Sequence, residues 1–479
     1  MELTFRKGNI ESAPKHFVRV ALVREKTGVK RFVRHEKTET LEIGVGKPEE
    51  MNSRRFITLC RSIVRTAKAN KCKKIAIQFD RTPELFKNLH ELTPEHISQL
   101  AAENFEIANF DFTSFKTKPE EGWDTVEHIY LYGKSSPSIE RAVRKGQEIG
   151  KAVNACRALA NTPGGDMTPT LLAKAAKEAV RGLPVKVTTL GEKEMKKLGM
   201  GALLGVAKGS SEPPTFTIVE YRPSTIARDK NNGGPIVFAG KGVTFDSGGL
   251  NIKTGDHMYE MHMDMSGAAA ALYAVVGAAR LKLRKHVIAL LPSVENMPHS
   301  GAYRPGDVLR SLSGKTIEVL DTDAEGRIIL ADALTYAKRL RPSVVIDIAT
   351  LTGAAVAALG FYASALLTRD DALAKQLEAD GEVSGDYVWR LPLWDEYEYR
   401  VKGEFADLKN VPGGAGSRYG GAIDGGMFLW QFAKELDCAW AHLDIAPRMT
   451  AEEGDELAKG AAGAPVRLLI RFIETWRGA

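Results

Sequence analysis

Cysteine is scarce in this chain, and no apolar run is long enough to matter to a membrane. The four cysteines, Cys60, Cys72, Cys156 and Cys438, contain no CxxC pair within 479 residues. That usage speaks against a disulfide scaffold and suits a reducing compartment, so a cytoplasmic location with buried, structural thiols is expected. The most apolar helix-like stretch, Ala268 to Ala279, is too short and too alanine-rich to span a bilayer. The first residues, Met1 to Ile10, carry charge and no apolar core, so no signal peptide and no membrane partner are expected. Low-complexity tracts and fixed-period repeats are absent as well. Acidic residues are missing altogether between Met51 and Phe79, against eight bases from Arg54 to Lys74.

Hydrophobic content of 44% and charged content of 26% are ordinary for a globular protein. The net charge of +6 is unevenly placed. Residues 1–150 hold 27 Lys and Arg against 21 Asp and Glu, which accounts for all of it. The basic run from Arg54 to Lys74 is compatible with a nucleic-acid contact, with a solvated helix face as the plainer reading.

The length predicts two or more domains. Strand signals at Phe17–Val23, Lys74–Phe79 and Ile129–Tyr132 flank a helical pattern at Ser53–Ala69, with Asn52 or Ser53 as N-cap. This predicts a small α/β domain over residues 1–137. Residues 138–160 read as one long linker helix that ends at the breaker Asn161-Thr-Pro-Gly-Gly165. Residues 161–479 resume the alternation. Strands are expected at 185–190, 216–220, 236–239, 286–292, 316–320, 344–348 and 439–445, and helices at 267–281 and 328–339. Several of these strands are apolar throughout, which favours burial on both faces and a central mixed or parallel sheet. The fold class expected is therefore α/β, in two domains.

Two acidic clusters follow apolar strands directly. One is Lys241-Gly-Val-Thr-Phe-Asp246-Ser-Gly-Gly249, and the other is Asp321-Thr-Asp323-Ala-Glu325-Gly-Arg327. Open α/β sheets bind ligands just beyond the carboxyl ends of their strands. With Asp264 at a helix start, four carboxylates (Asp246, Asp264, Asp323 and Glu325) are expected to converge there. Gathered acids repel one another, and a divalent metal is the usual relief. Two metals about 3.5–4 Å apart share bridging carboxylates and hold a water between them. Lys241, Lys253 and Arg327 accompany the acids. Taken singly, each of these residues reads as an ordinary ion-pair partner; the joint spacing is what changes the reading.

The segments GKGVTFDSGGLNIK (240–253), MDM-x-GAA (263–269) and TDAEGR (322–327) resemble the leucyl aminopeptidase family, the M17 dinuclear metallopeptidases. ENMP (295–298), AYRPGDVL (302–309), SGKTIEVL (313–320), DIATLTGA (347–354), ADLKN (406–410) and WAHLDIA (440–446) extend the resemblance over 161–479. It implies that Lys241, Asp246, Asp264 and Glu325 bind a tighter metal, and that Asp246, Asp323 (side chain and backbone oxygen) and Glu325 bind a more exchangeable one. Lys253 and Arg327 are implied as the catalytic residues that bind no metal. Met261, Thr350 and Gly353 are implied to line the pocket for the first substrate side chain, with the Leu351 backbone helping to hold substrate. All seven metal and catalytic positions match, which disfavours a scaffold with a dead site.

The implied activity is removal of amino-terminal residues, leucine and other bulky apolar ones favoured, from peptide substrates. Two divalent ions (zinc or manganese, with magnesium open) activate a bridging water, Lys253 polarises the carbonyl, and a bicarbonate held by Arg327 shuttles the proton. Lys241 can ligate only as the neutral amine. Deprotonating an ordinary lysine at pH 7 costs about 4.6 kcal/mol, which neighbouring metal charge is expected to supply. Family members form hexamers of two stacked trimers around an interior cavity, and a homohexamer is the implied state. Some also bind DNA, so a DNA-binding accessory role for the basic run is the alternative.

Several positions depart from the family pattern. Asp321 replaces the usual Asn, and it is expected either to tighten a metal site or to cap a turn. His262 and Ser266 stand where Lys or Arg and Gly are common; His262 is read as a neighbour of the site rather than a ligand. The glycine-rich segment Gly413–Asp424 keeps the glycines but not the residues after Ala422. Two decoys are rejected. His90-Glu-Leu-Thr-Pro-Glu-His96 has two residues too many for a zinc-protease helix motif, and Ser313-Gly-Lys-Thr316 opens a strand rather than a helix.

Overall fold

The structure is a computed structural model of the 479-residue chain, and it describes all residues except 36–37, 80–91, 225–232, 415–418 and 479. The His90 end of the rejected histidine motif and the centre of the glycine-rich segment 413–424 lie outside the described residues. The chain divides into two compact units. The first comprises Met1–Asn154 with Ala451–Gly460, and the second comprises Ala155–Thr450 with Ala461–Ala479. A helix spans Pro137–Ala160. No described helix is long and apolar enough to cross a membrane.

The first unit holds a six-stranded sheet. Its strands are β1 (Glu2–Arg6), β2 (Val18–Val23), β3 (Lys30–Arg34), β4 (Glu39–Gly44), β5 (Lys74–Gln78) and β6 (His128–Tyr132), in the order β1-β6-β5-β2-β4-β3. Only the β3–β4 pair is antiparallel. The helix Ser53–Ala69 begins where expected because the Asn52 side chain accepts from the Arg55 N–H at 3.0 Å and satisfies one otherwise orphaned donor. Its Phe56, Cys60, Ile63, Val64 and Ala67 recur at helical spacing and pack into the core of this unit.

The second unit carries a nine-stranded sheet. In chain order its strands are β7 (Val185–Leu190), β8 (Thr215–Tyr221), β9 (Ile236–Gly240), β10 (Gly242–Asp246), β11 (Val287–Asn296), β14 (Val344–Ala349), β15 (Ser364–Leu367), β16 (Val388–Arg390) and β18 (Ala439–Asp444). The order across the sheet is β16-β15-β18-β14-β9-β11-β8-β7, with β10 added alongside β11. The middle is parallel: β18, β14, β9 and β11 run in one direction. Every residue of β9 and β14 is buried, as strands covered on both faces should be, and the one charged residue, Asp347 of β14, is bonded to the Trp440 indole and the His442 ring. The antiparallel pairs β11–β8, β8–β7 and β15–β18 make the sheet mixed, as expected.

One expectation is corrected. The strand before the second acidic cluster, β13 (Thr316–Glu318), does not belong to the central sheet. It sits in a separate three-stranded sheet between β12 (Val308–Arg310) and β17 (Leu408–Lys409). Its short length and partly polar sequence, Thr-Ile-Glu, cannot fill a doubly buried position. The helix after it spans Glu325–Ala337 rather than beginning at 328, so Glu325 and Arg327 lie in its first turn.

Candidate active site

Three segments deliver the acids to one place. β10 ends on Asp246, and its parallel pairing with β11 sets Asp246 opposite Asn296. Asp246 Oδ1 then accepts from Asn296 Nδ2 at 2.8 Å and from the Gly248 N–H at 2.9 Å. Gly248 has φ +87°, and a Cβ there would lie 2.4 Å from the Asn251 carbonyl oxygen, so only glycine closes this turn. Asn296 also donates to the Thr322 carbonyl at 2.9 Å, and Thr322 Oγ1 donates to the Gly248 carbonyl at 2.6 Å. These bonds tie the two acidic loops together.

The result is a cradle that is buried at Asp246 and Glu325 and partly open at Asp323. One carboxylate oxygen from each of Asp246, Asp323 and Glu325 lies within 4.8 Å of the others. Asp264 joins through Lys241. The Lys241 ammonium donates to Asp264 Oδ1 at 2.8 Å and to the Thr350 carbonyl at 2.9 Å. It also lies 2.7 Å from Asp264 Oδ2 and 2.8 Å from Glu325 Oε1. Neither of those two contacts has hydrogen-bond geometry, and both oxygens remain buried without a hydrogen bond. Gly326 makes room for Lys241: a Cβ there would sit 2.4 Å from Lys241 Cε. On the other side, Lys253 Nζ lies 2.9 Å from Asp246 Oδ2 and 2.5 Å from Asp323 Oδ1.

The electrostatics are those of a site short of positive charge. Burial raises the carboxyls of Asp264 and Glu325, and Asp246 adds repulsion to both. Burial together with Asp246 and Glu325 pushes Asp323 up to about 7. Burial alone would lower Lys241 and Lys253, but the surrounding carboxylates outweigh it and raise both. The donor set fits hard or borderline divalent cations. Buried oxygens of Asp264, Asp323, Glu325 and Asn296 have no hydrogen-bond partner, and the two lysines offset only part of the negative charge.

The remaining expected residues surround this cradle. Arg327 is buried; one guanidinium N–H donates to the Asn410 carbonyl at 2.8 Å, while Nε has no hydrogen-bond partner. Burial lowers its pKa, and Asp424 and Glu325 oppose that shift. Thr350 Oγ1 donates to Asp264 Oδ1 at 2.6 Å, so this threonine orients an acid of the cluster. Met261 begins a short 3-10 turn, Met261–Met263, that leads into Asp264. The Leu351 N–H donates to Asp444 Oδ1 at 3.0 Å, which holds the strand end in place. Gly353 opens the helix Gly353–Leu359, and nothing lies within 4 Å of where its Cβ would be.

Asp321 caps a turn: its Oδ1 accepts from the Asp323 N–H at 2.8 Å. His262 makes no hydrogen bond or ion pair to the cluster among the described residues, and burial lowers its pKa. Ser266 Oγ donates to the Met263 carbonyl at 2.6 Å. The positioning residues Asn296, Thr322, Tyr303, Asn410 and Asp444 carried no role in the sequence analysis. Tyr303 donates to the Thr322 carbonyl at 2.7 Å, and Asn410 receives the Leu320 N–H at 2.8 Å. Their segments were visible as motifs, but hydrogen bonds across 19 to 90 residues have no signature in spacing.

The basic run of the first unit is largely neutralised by acids from elsewhere in that unit. Arg55 pairs with Glu50 at 2.7 Å, Arg65 and Lys68 with Asp111 at 3.2 and 2.5 Å, Lys71 with Glu121 at 3.1 Å, and Lys73 with Glu127 at 3.3 Å. Arg61 is buried and donates to Asn104 at 2.8 Å.

The comparisons agree with the geometry. A family model described as the catalytic domain of the cytosol aminopeptidase family matches residues 154–470. A probable cytosol aminopeptidase of Mannheimia succiniciproducens is 40% identical over 477 residues, covering 98% of this chain and 91% of its own. One of Aromatoleum aromaticum is 41% identical over 438 residues, covering 90% and 84%. Among solved structures, the bottromycin maturation enzyme BotP in complex with Mn superposes with a TM-score of 0.83 at 29% identity, covering 96% of this chain and 99% of that one. With a matching catalytic-domain model and relatives of this similarity along nearly its whole length, the chain belongs to the cytosol aminopeptidase family, whose members are metallo-exopeptidases.

Proposed function

We propose that this chain is an aminopeptidase that removes single amino-terminal residues, leucine and other apolar ones favoured, from peptides. The observation that carries the reading is the cradle of Asp246, Asp323 and Glu325, with buried oxygens left unsatisfied and a lysine on either side. Asp246, Asp264, Glu325 and Lys241 would hold one divalent ion, and Asp246, Asp323 and Glu325 the other. The manganese bound by the similar maturation enzyme places that ion among the candidates, beside zinc and magnesium. When bound, such a pair supplies a nucleophilic water near neutral pH and a Lewis acid for the carbonyl.

The chain's own residues do the rest. Lys253, less buried than Lys241, directs its ammonium at the cradle, where it offsets negative charge developing on the scissile oxygen. Lys241 must surrender its proton to ligate, so filling the site releases protons. Arg327 would hold a planar anion such as bicarbonate: its partnerless Nε is a donor without an acceptor, and the guanidinium fork matches a planar anion. Such an anion would supply a proton acceptor beside the cradle. Met261, Thr350 and Gly353 border the first side-chain pocket, and the open space at Gly353 suits a bulky apolar group. Assembly as a homohexamer is part of this reading. A DNA-binding role is not carried forward, since at least six of the eight bases in the run have partners.

The test is hydrolysis by metal-stripped protein of leucine anilide and its N-acetylated form, with zinc, manganese or magnesium restored. Activity should return with metal and only on the free amine. Equal cleavage of the acetylated substrate, or full activity after stripping, refutes the proposal.

A further inference from the structure

The two ends of the central sheet differ in charge. At the amino ends of β9, β11 and β14 lies a cavity of about 430 Å³. Arg222, Lys285, Arg341 and Arg477 line it together with His286, and among the described residues no acidic side chain does. None of the four permanent cations forms an ion pair among the described residues. Glu220, which does not line the cavity, has its carboxylate bonded to His286 Nε2 at 2.9 Å. Lys285 feels the crowding: burial and then the positive charge of Arg477 lower its pKa.

The pocket is built from ordered parts. Trp476 lines one wall; it is stacked on Phe472 and its indole N–H donates to Ser343 Oγ at 3.3 Å. Gly234 packs against the backbone of Arg341, where any Cβ would collide with the carbonyl oxygen at 1.7 Å. Pro235 and Ser343 are joined by a backbone hydrogen bond of 2.9 Å. β9 runs from this pocket to Lys241 and β14 from it to Thr350, so about 17 Å of strand separates it from the acid cradle. It is therefore not part of the peptide site.

We propose that this pocket binds a small anion carrying two or more phosphate groups. Three guanidiniums and an ammonium held together with no ion-pair partner among the described residues repel one another, and a multivalent anion relieves all of them at once. Guanidinium forks pair two oxygens of a phosphate in a plane, which favours phosphate over a compact halide. The volume lies in the range of small-molecule sites and leaves room for more than inorganic phosphate.

The experiment is titration calorimetry of the metal-loaded protein with pyrophosphate and, in parallel, citrate. The wild type is compared with Lys285→Gln/Arg477→Gln and with Arg222→Gln. Pyrophosphate should bind the wild type, and at least about tenfold more weakly the double variant, with a smaller loss in Arg222→Gln. Leucine anilide hydrolysis should remain at the wild-type level in all three, which also shows that the variants are folded. Equal pyrophosphate affinity in the double variant assigns the binding to the catalytic end and overturns the proposal, as does absence of binding to the wild type at millimolar concentration. Tighter binding of citrate than of pyrophosphate overturns the phosphate assignment.

Discussion

The acid cluster of the second unit and the basic run of the first are two concentrations of charge conspicuous in the sequence, and folding treats them oppositely. The bases of the run acquire partners. Lys68 is buried, yet it reaches both Asp111 and the Asn109 carbonyl, and Arg61 reaches Asn104. The acids do not acquire enough partners. Asp264 Oδ2 and Glu325 Oε1 are buried with a lysine beside them and still lack a hydrogen bond, and burial raises both carboxyls. A folded chain tolerates unsatisfied buried charge when something outside the chain completes it. The difference therefore separates a charge pattern that stabilises a domain from one that awaits a ligand.

Removing one member from each region is the sharpest way to break this contrast. Glu325→Gln should lower metal content and reduce hydrolysis by about three orders of magnitude or more. The metal-free variant should melt no lower than the metal-free wild type, because the fold already disfavours the Glu325 charge. Lys253→Ala should keep both metals and lose about a hundredfold to a thousandfold in kcat. Elemental analysis beside the assay distinguishes the two; full metal in Glu325→Gln, or unchanged turnover in Lys253→Ala, removes the residue from its role.

In the first unit the expected effects reverse. Asp111→Ala leaves the buried Lys68 ammonium without its carboxylate and should cost about 3 kcal/mol in urea unfolding, with hydrolysis unchanged. Arg55→Ala breaks an exposed pair and should cost under about 1 kcal/mol. If Asp111→Ala were as mild as Arg55→Ala, the pairing would not be what makes the run tolerable.

How much of this was legible beforehand follows from the range of the interactions. The helix Ser53–Ala69 was readable to the residue because its cap and its apolar spacing are local. β9 and β14 were readable because burial on both faces demands largely apolar runs, even with Asp347 inside the second. The short β10 was not separated from the turn it leads into, and β13 was assigned to the wrong sheet, because three to five residues carry no strong period. At the site, the residue types of the cradle were visible in the chain, but its depth and its unpaired oxygens were not. Those depend on Asn296, Thr322 and Asn410 bridging segments far apart in sequence. The neutralisation of the basic run was hidden for the same reason, since Asp111, Glu121 and Glu127 lie outside it.

Asp332 offers an intermediate case, an acid buried near neither metal ligands nor bases but satisfied by backbone. Its two oxygens accept from the Leu203 N–H at 2.9 Å and the Leu312 N–H at 2.7 Å. Burial pushes its carboxyl up to about 7, although these N–H donors pull it back. The folded pKa lies above the unfolded value of 3.8, so the folded chain holds this proton more tightly. Its contribution to stability is complete below about pH 4 and is lost as pH rises to about 7. Between pH 5 and 7.5 the metal-free wild type should therefore lose about 2 kcal/mol more than Asp332→Asn, whose amide does not titrate. Because the cradle acids titrate in both proteins, the difference between the two urea-midpoint curves isolates Asp332. Parallel curves would mean that the two N–H donors hold the carboxylate ionised in the fold, and that backbone dipoles satisfy a buried acid as fully as Asp111 satisfies Lys68.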